Sequence, residues 1–192
     1  MAHLKFDMAK LEKLNDPARL ESLPPGVFWH ALDEPAGARV IVEIGAGTGL
    51  FAAEFAKRAP SAVIYAADTA PQMLDWMREH RPEVSEGRIV PVLATETSVP
   101  LEDGVADALY MINLHHELAD PGSTYAEAHR LLGPGGLLLV VDWKHAETPK
   151  GPPLEVRATT EQLISALESA GFADITAHDA LEWHELLTAA KR

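Results

Sequence analysis

The chain has 192 residues, 47% hydrophobic and 23% charged, which fits one folded domain and argues against disorder. Sixteen basic against twenty-nine acidic residues leave a net charge of −13, which repels nucleic-acid phosphates and anionic membranes, so neither is an expected partner. There is no cysteine, which excludes disulfides, thiolate metal sites and cysteine nucleophiles. With no apolar leader block and no apolar run near ~20 residues, the expected location is the cytoplasm.

The first 38 residues read as helices and turns. Leu4, Met8, Leu11 and Leu14 fall at helical spacing, Asp16-Pro17 reads as a cap with a first-turn proline, and Leu23-Pro24-Pro25-Gly26 stops the second helix. From Arg39 strands alternate with helices. Val40 to Ile44 is a β-branched run ending at a glycine loop, and Phe51, Ala52, Phe55 and Ala56 then repeat at helical spacing. Ala62 to Ala67 is a second strand closed by Asp68. Thr69 and Gln72 read as a capping box for a helix carrying Met73, Leu74 and Met77. Ile89 to Leu93 and Ala106 to Ile112 are the third and fourth strands. A helix capped by Asp120 stops at Gly133-Pro134-Gly135-Gly136, before a fifth strand from Leu137 to Val141. Thr159 and Gln162 cap a last helix that Gly171 closes. Two strands, near Phe172 to Ala177 and Trp183 to Ala189, finish the chain. Their connection is too short for a parallel crossover, so they are expected to be antiparallel. The fold class is α/β, a doubly wound sheet with helices on both faces.

Glu43-Ile44-Gly45-Ala46-Gly47-Thr48-Gly49 lies between a strand and a helix, where glycines allow a sharp turn and close approach to a ligand, with amide N–H groups presented to it. Asp68 follows Gly49 by nineteen residues at the end of the next strand, a place for an acid that accepts from two ribose hydroxyls. The third glycine comes one residue too early for the nicotinamide fingerprint. A negative Glu43 at the strand end suits a cationic ligand rather than a pyrophosphate. An adenosine joined to an ammonium group describes S-adenosylmethionine.

The sequence resembles class I S-adenosylmethionine-dependent methyltransferases through V-E-I-G-A-G-T-G at 42–49, Y-A-A-D at 65–68, V-P-L-E-D-G at 99–104 and H-R-L-L-G-P-G-G at 129–136. The segments N-L-H-H-E-L at 113–118, D-W-K at 142–144 and G-P-P at 151–153 are similar to a group of small prokaryotic members labelled as quinone-biosynthesis or arsenite methyltransferases. The resemblance implies a Rossmann-like seven-strand sheet of order 3-2-1-4-5-7-6 with strand 7 antiparallel. It further implies a single methyltransferase domain over 1–192, with a helical cover at 1–38 and the core at 39–192. It places Glu43, Gly45, Ala46, Gly47 and Gly49 at the methionine end, Asp68 at the ribose, and Thr69 and Met73 beside the adenine. Asn113 would offer its backbone to the methionine ammonium. The family's acidic adenine contact after strand 3 has no clear match; Thr95 and Glu96 stand there. Arsenite methylation is not expected, since trivalent arsenic is held by thiolates and this chain has none.

His115 and His116 follow strand 4 at the carboxyl edge of the sheet and are the candidate catalytic bases, His115 the favoured one. Alternatively they only pack and hydrogen-bond the loop. Trp143, Lys144 and His145 follow strand 5 and are candidates for acceptor contact or for a lid. No paired or clustered ligands support a metal site from His115, His116, His145 or Asp142. Phe6, Phe28 and Trp29 read either as a water-excluding cover or, more simply, as packing. Methyl transfer to a small molecule is the leading reading, ahead of a cofactor-binding sensor or partner subunit and a nicotinamide oxidoreductase.

Overall fold

Short apolar, β-branched runs covered on both faces make the parallel strands of this chain, and each turns sharply where glycine or a capping residue interrupts the run. The computed structural model describes residues 8–35 and 37–192. Its strands are β1 (Val40–Ile44), β2 (Val63–Asp68), β3 (Ile89–Leu93), β4 (Ala106–Ile112), β5 (Leu132–Trp143), β6 (Ala173–Ala177) and β7 (His184–Ala190). They form one seven-stranded sheet in the order β3-β2-β1-β4-β5-β7-β6, as the family resemblance implies. The pairs among β1 to β5 are parallel, and β7 is antiparallel to both β5 and β6. The order reverses beside β1, which puts the carboxyl ends of β1 and β4 at the crevice where α/β sheets bind ligands.

The helices are α1 (Met8–Asn15), α2 (Ala18–Ser22), α3 (Pro25–Ala31), α4 (Leu50–Arg58), α5 (Pro71–His80), α6 (Pro82–Ser85), α7 (Pro121–Leu131) and α8 (Thr160–Ser169). On one face Phe55 of α4 stacks on Tyr110 of β4 with ring centroids 4.1 Å apart, and Trp29 meets Phe55 edge-on. On the other face Tyr125, Leu163 and Leu167 are fully buried against the sheet. No described helix is long and apolar enough to cross a membrane.

Several local expectations change in the folded chain. Pro24-Pro25 does end α2, but Pro25 also opens α3, because a proline at the first helical position loses no hydrogen bond. Phe28 and Trp29 of that helix pack into the core and do not line a cavity, so packing is their role; Phe6 and Leu4 lie outside the described residues. Thr69 does not cap α5. The first-turn contact there comes from Asp68, whose Oδ1 accepts from the Ala70 N–H at 2.9 Å. The fifth strand starts at Leu132 rather than Leu137, since Leu132 already pairs with Ala106 and the 135–136 backbone pairs with Lys191. Asp120, the Thr159–Gln162 box and Gly171 act as caps in the expected way.

Candidate active site

β1 ends in the loop 45–49, and α4 starts immediately behind it. Gly45 has φ +77°, a left-handed conformation that favours glycine, and a Cβ there would displace the end of the Leu114 side chain, 2.7 Å away. Gly49, with φ +68°, caps α4 against Met77 and does not line the cavity; its role is packing. Four of the loop's five amides are taken up within the protein rather than presented to a ligand, contrary to the expectation from sequence. Gly45 and Ala46 donate to the Ala67 carbonyl, Gly49 donates to Ala46, and Gly47 donates to Asp68 Oδ2 at 2.7 Å. The loop is thus held by β2 and offers no ring of free N–H groups for a pyrophosphate.

Asp68 is fixed at both oxygens by the Gly47 and Ala70 amides, and each oxygen keeps a further lone pair for a ligand hydroxyl. About one strand width away, Glu43 is 2% exposed and accepts from the Tyr110 hydroxyl at 3.1 Å. Burial pushes its carboxyl up to about 8, against the opposing pull of the Tyr110 hydrogen bond and the Arg19 charge. Asn113 has φ +55°, donates its N–H to Val141, and keeps its side-chain oxygen buried without a partner.

These groups face one cleft of about 240 Å³. Its walls include Glu43, Gly45, Ala46, Gly47, Asp68, Thr69, Met73, Thr95, Glu96 and Asn113, so ten of the cofactor positions picked from sequence come together there. The ionisable wall residues are the acids Glu43, Asp68, Glu96, Glu117 and Asp120 against the single guanidinium of Arg19. Such a wall favours a ligand with a cationic end. Arg19 and Leu14, from the N-terminal helices, belong to this wall and were not found from sequence; nothing in their local pattern marks them. Arg19 lies over the Phe51 ring and donates to the Leu14 carbonyl at 2.8 Å.

A second, wider cavity of about 740 Å³ adjoins the first and shares Leu14, Arg19, Asn113 and Glu117 with it. His116, Trp143 and His184 line it. His116 Nδ1 lies 2.8 Å from Asp142 Oδ1, and the buried Asp142 also takes the Trp143 N–H at 2.8 Å. Because a carboxylate only accepts, this contact places the proton of neutral His116 on Nδ1 and leaves the Nε2 lone pair available. His115 lines neither cavity. Its Nδ1 is 2.8 Å from the Tyr125 hydroxyl and its ring stacks on Tyr125, while burial lowers its basicity. Lys144 donates to the Leu181 carbonyl and His145 contacts the Arg157 carbonyl, so of Trp143, Lys144 and His145 only Trp143, the last residue of β5, faces the cavity. Among the described residues no three His, Asp or Glu side chains gather as a metal site.

With the geometry in place, comparisons with known proteins define the class. A methyltransferase-domain family profile matches residues 42–140, and the chain belongs to this family. It is 36% identical over 120 residues to an uncharacterized methyltransferase of Mycobacterium tuberculosis, covering 62% of this chain and 45% of that one. It is 34% identical over 139 residues to the demethylmenaquinone methyltransferase of Thermus thermophilus, covering 69% and 61%. The chain spans about half the length of the curated relatives it matches. Among solved structures, a SAM-dependent methyltransferase from Aquifex aeolicus superposes with a TM-score of 0.86 at 26% identity, covering 98% of this chain and 100% of that one.

Proposed function

We propose that this chain transfers a methyl group from S-adenosylmethionine to a small-molecule acceptor. The observation that carries this reading is the acidic cleft, where Glu43 and a doubly anchored Asp68 stand on neighbouring strands beside a loop most of whose amides are already used. That set suits a ribose and a cationic amino-acid end, and it does not suit a dinucleotide pyrophosphate. The buried, unpartnered Asn113 oxygen supports the same fit. Bound cofactor supplies an electrophilic methyl group on a sulfonium sulfur.

In this reading Asp68 holds the ribose, Glu43 and Asn113 hold the ammonium, and Arg19 neutralises the methionine carboxylate. Thr69, Met73, Thr95 and Glu96 border the adenine. His116, oriented by Asp142, takes the acceptor's proton where the acceptor is a hydroxyl or an activated carbon. Leu14 and Arg19 close the cleft over the reacting groups, which makes the N-terminal helices a cover of one catalytic domain. The net charge of −13 disfavours nucleic-acid acceptors, and the composition fits a cytoplasmic enzyme.

The test is calorimetry with S-adenosylhomocysteine on the wild type and Asp68→Ala, with a turnover assay beside it. The variant should bind more weakly by about 1.5–3 kcal/mol, the range for hydrogen bonds to a charged group. Unchanged affinity would refute the ribose assignment. Binding without release of S-adenosylhomocysteine from any acceptor would point instead to a sensor or partner subunit.

A further inference from the structure

We infer that the wide cavity beyond Asn113 is the acceptor site and that it selects acceptors bearing a carboxylate. The inference rests on the proposed methyl transfer, because the cavity adjoins the cleft through Leu14, Arg19, Asn113 and Glu117 and so opens beside the groups assigned to the methionine end. In a chain with a net charge of −13, this cavity runs against the trend: Lys13 and Lys150 line it, beside the Arg19 assigned to the methionine carboxylate. Of the two carboxylates at its wall, Asp16 accepts from the Ala18 N–H at 2.9 Å, and Glu117 stands exposed with its Oε1 4.0 Å from His116 Nε2.

His184 supplies the second, independent observation. It is 2% exposed, it lies against Trp143 at 4.1 Å, and neither ring nitrogen has a hydrogen-bond partner. Leaving such a group unsatisfied costs stability. Burial, against the opposing charge of Asp142 and with the help of Lys150, Arg157 and Arg19, keeps it neutral, with its basicity lowered to about 4, so one nitrogen carries a proton to donate. A carboxylate is the ligand group that only accepts, takes that N–H and is attracted by the same cations. Lys150 is brought over the cavity by Arg157. The buried Arg157 guanidinium donates to the carbonyls of Pro152 and Ala146 and lies over the Trp143 ring, fixing the segment after β5.

Benzoate and its uncharged isostere benzamide test the assignment by calorimetry on the full chain saturated with S-adenosylhomocysteine. Benzoate should bind at least about tenfold more tightly than benzamide, a preference worth about 1.4 kcal/mol. Lys150→Gln should shrink that preference several-fold. His184→Leu should lose most benzoate affinity while its melting temperature stays level or rises, since leucine removes an unsatisfied buried polar group. A histidine with only a structural role would do the reverse, lowering the melting temperature and leaving benzoate binding intact. Equal affinity for the two probes, or no benzoate binding at millimolar concentration, would overturn the inference while S-adenosylhomocysteine still bound. Failure of S-adenosylhomocysteine to bind would instead remove the underlying function.

Discussion

His116 Nδ1 lies 2.8 Å from a buried carboxylate, whereas His115 Nδ1 lies 2.8 Å from a phenolic hydroxyl, and this difference separates two adjacent imidazoles chemically. In the proposed reaction Asp142 holds the His116 ring with its proton on Nδ1, so that Nε2 is the atom left to take the acceptor's proton. Tyr125 instead holds His115 against α7, away from both cavities. Hence His116→Ala should lower kcat by about 10²–10⁴-fold with cofactor affinity nearly unchanged, and Asp142→Asn should follow it in the same direction. His115→Ala should leave kcat within a few-fold of wild type. Steady-state kinetics on the three variants checks this, and a larger loss for His115→Ala would reverse the assignment. The sequence places both histidines at the right sheet edge, but it cannot orient them, because their partners come from α7 and β5. Glu43 and Asp68 were legible for the opposite reason: they are tied to a strand end and a glycine loop that are themselves local features. The preference for His115 rested on chain position alone, and side-chain direction after the 3₁₀ turn His115–Glu117 does not follow from position.

Elements were readable where a run of one residue type sets the hydrogen-bonding pattern. The apolar runs of β1, β3 and β4 have the bounds expected from sequence, and so do the capping residues of α7 and α8. What could not be read is how the N-terminal helices dock. Asn15, at the end of α1, accepts from the Thr48 hydroxyl at 3.0 Å and from the Arg81 guanidinium at 2.7 Å, partners 33 and 66 residues away. Arg81 also donates to the Thr48 carbonyl at 2.9 Å, so three segments meet at one side-chain amide. Asn15→Leu removes the shared acceptor and strands the buried Thr48 hydroxyl. The expected loss is about 1.5–3 kcal/mol, as for other hydrogen bonds to charged groups. It should appear as local opening: faster amide exchange in residues 8–23 with little change in β1, β4 and β5, and weaker S-adenosylhomocysteine binding because Leu14 and Arg19 line the cleft. Uniform acceleration across the sheet, or none in residues 8–23, would show that the clasp does not hold these helices.

At the scale of the whole molecule, two buried groups titrate in opposite senses, and each adds its own limb to the change of stability with pH. Glu43 is raised to about 8 by burial, so the folded chain holds a proton that the unfolded chain, with its ordinary value of 4.5, has released. That favours the unfolded state as pH rises through the range up to about 8. His184 is lowered from 6.5 to about 4 by burial, so the unfolded chain takes up a proton that the folded chain refuses, and stability is lost as pH falls toward 4. Between about pH 6.5 and 8 only the Glu43 imbalance acts, and stability should fall with rising pH by up to about 1.4 kcal/mol per pH unit. Between about 4.5 and 6.5 the two imbalances cancel, one proton held by each state, and these groups contribute a plateau. Each variant isolates one limb, because the remaining carboxylates contribute equally to wild type and variant. Measured as a difference from wild type, Glu43→Gln should remove the alkaline fall. His184→Leu should turn the plateau into a continued gain of stability down to about pH 4.5. S-adenosylhomocysteine, whose ammonium favours ionised Glu43, should reduce the alkaline fall in the wild type and release close to one proton on binding near pH 7. Urea melts across this pH range with the two variants check the sum. A wild-type alkaline fall that survives in Glu43→Gln would place the titrating group elsewhere.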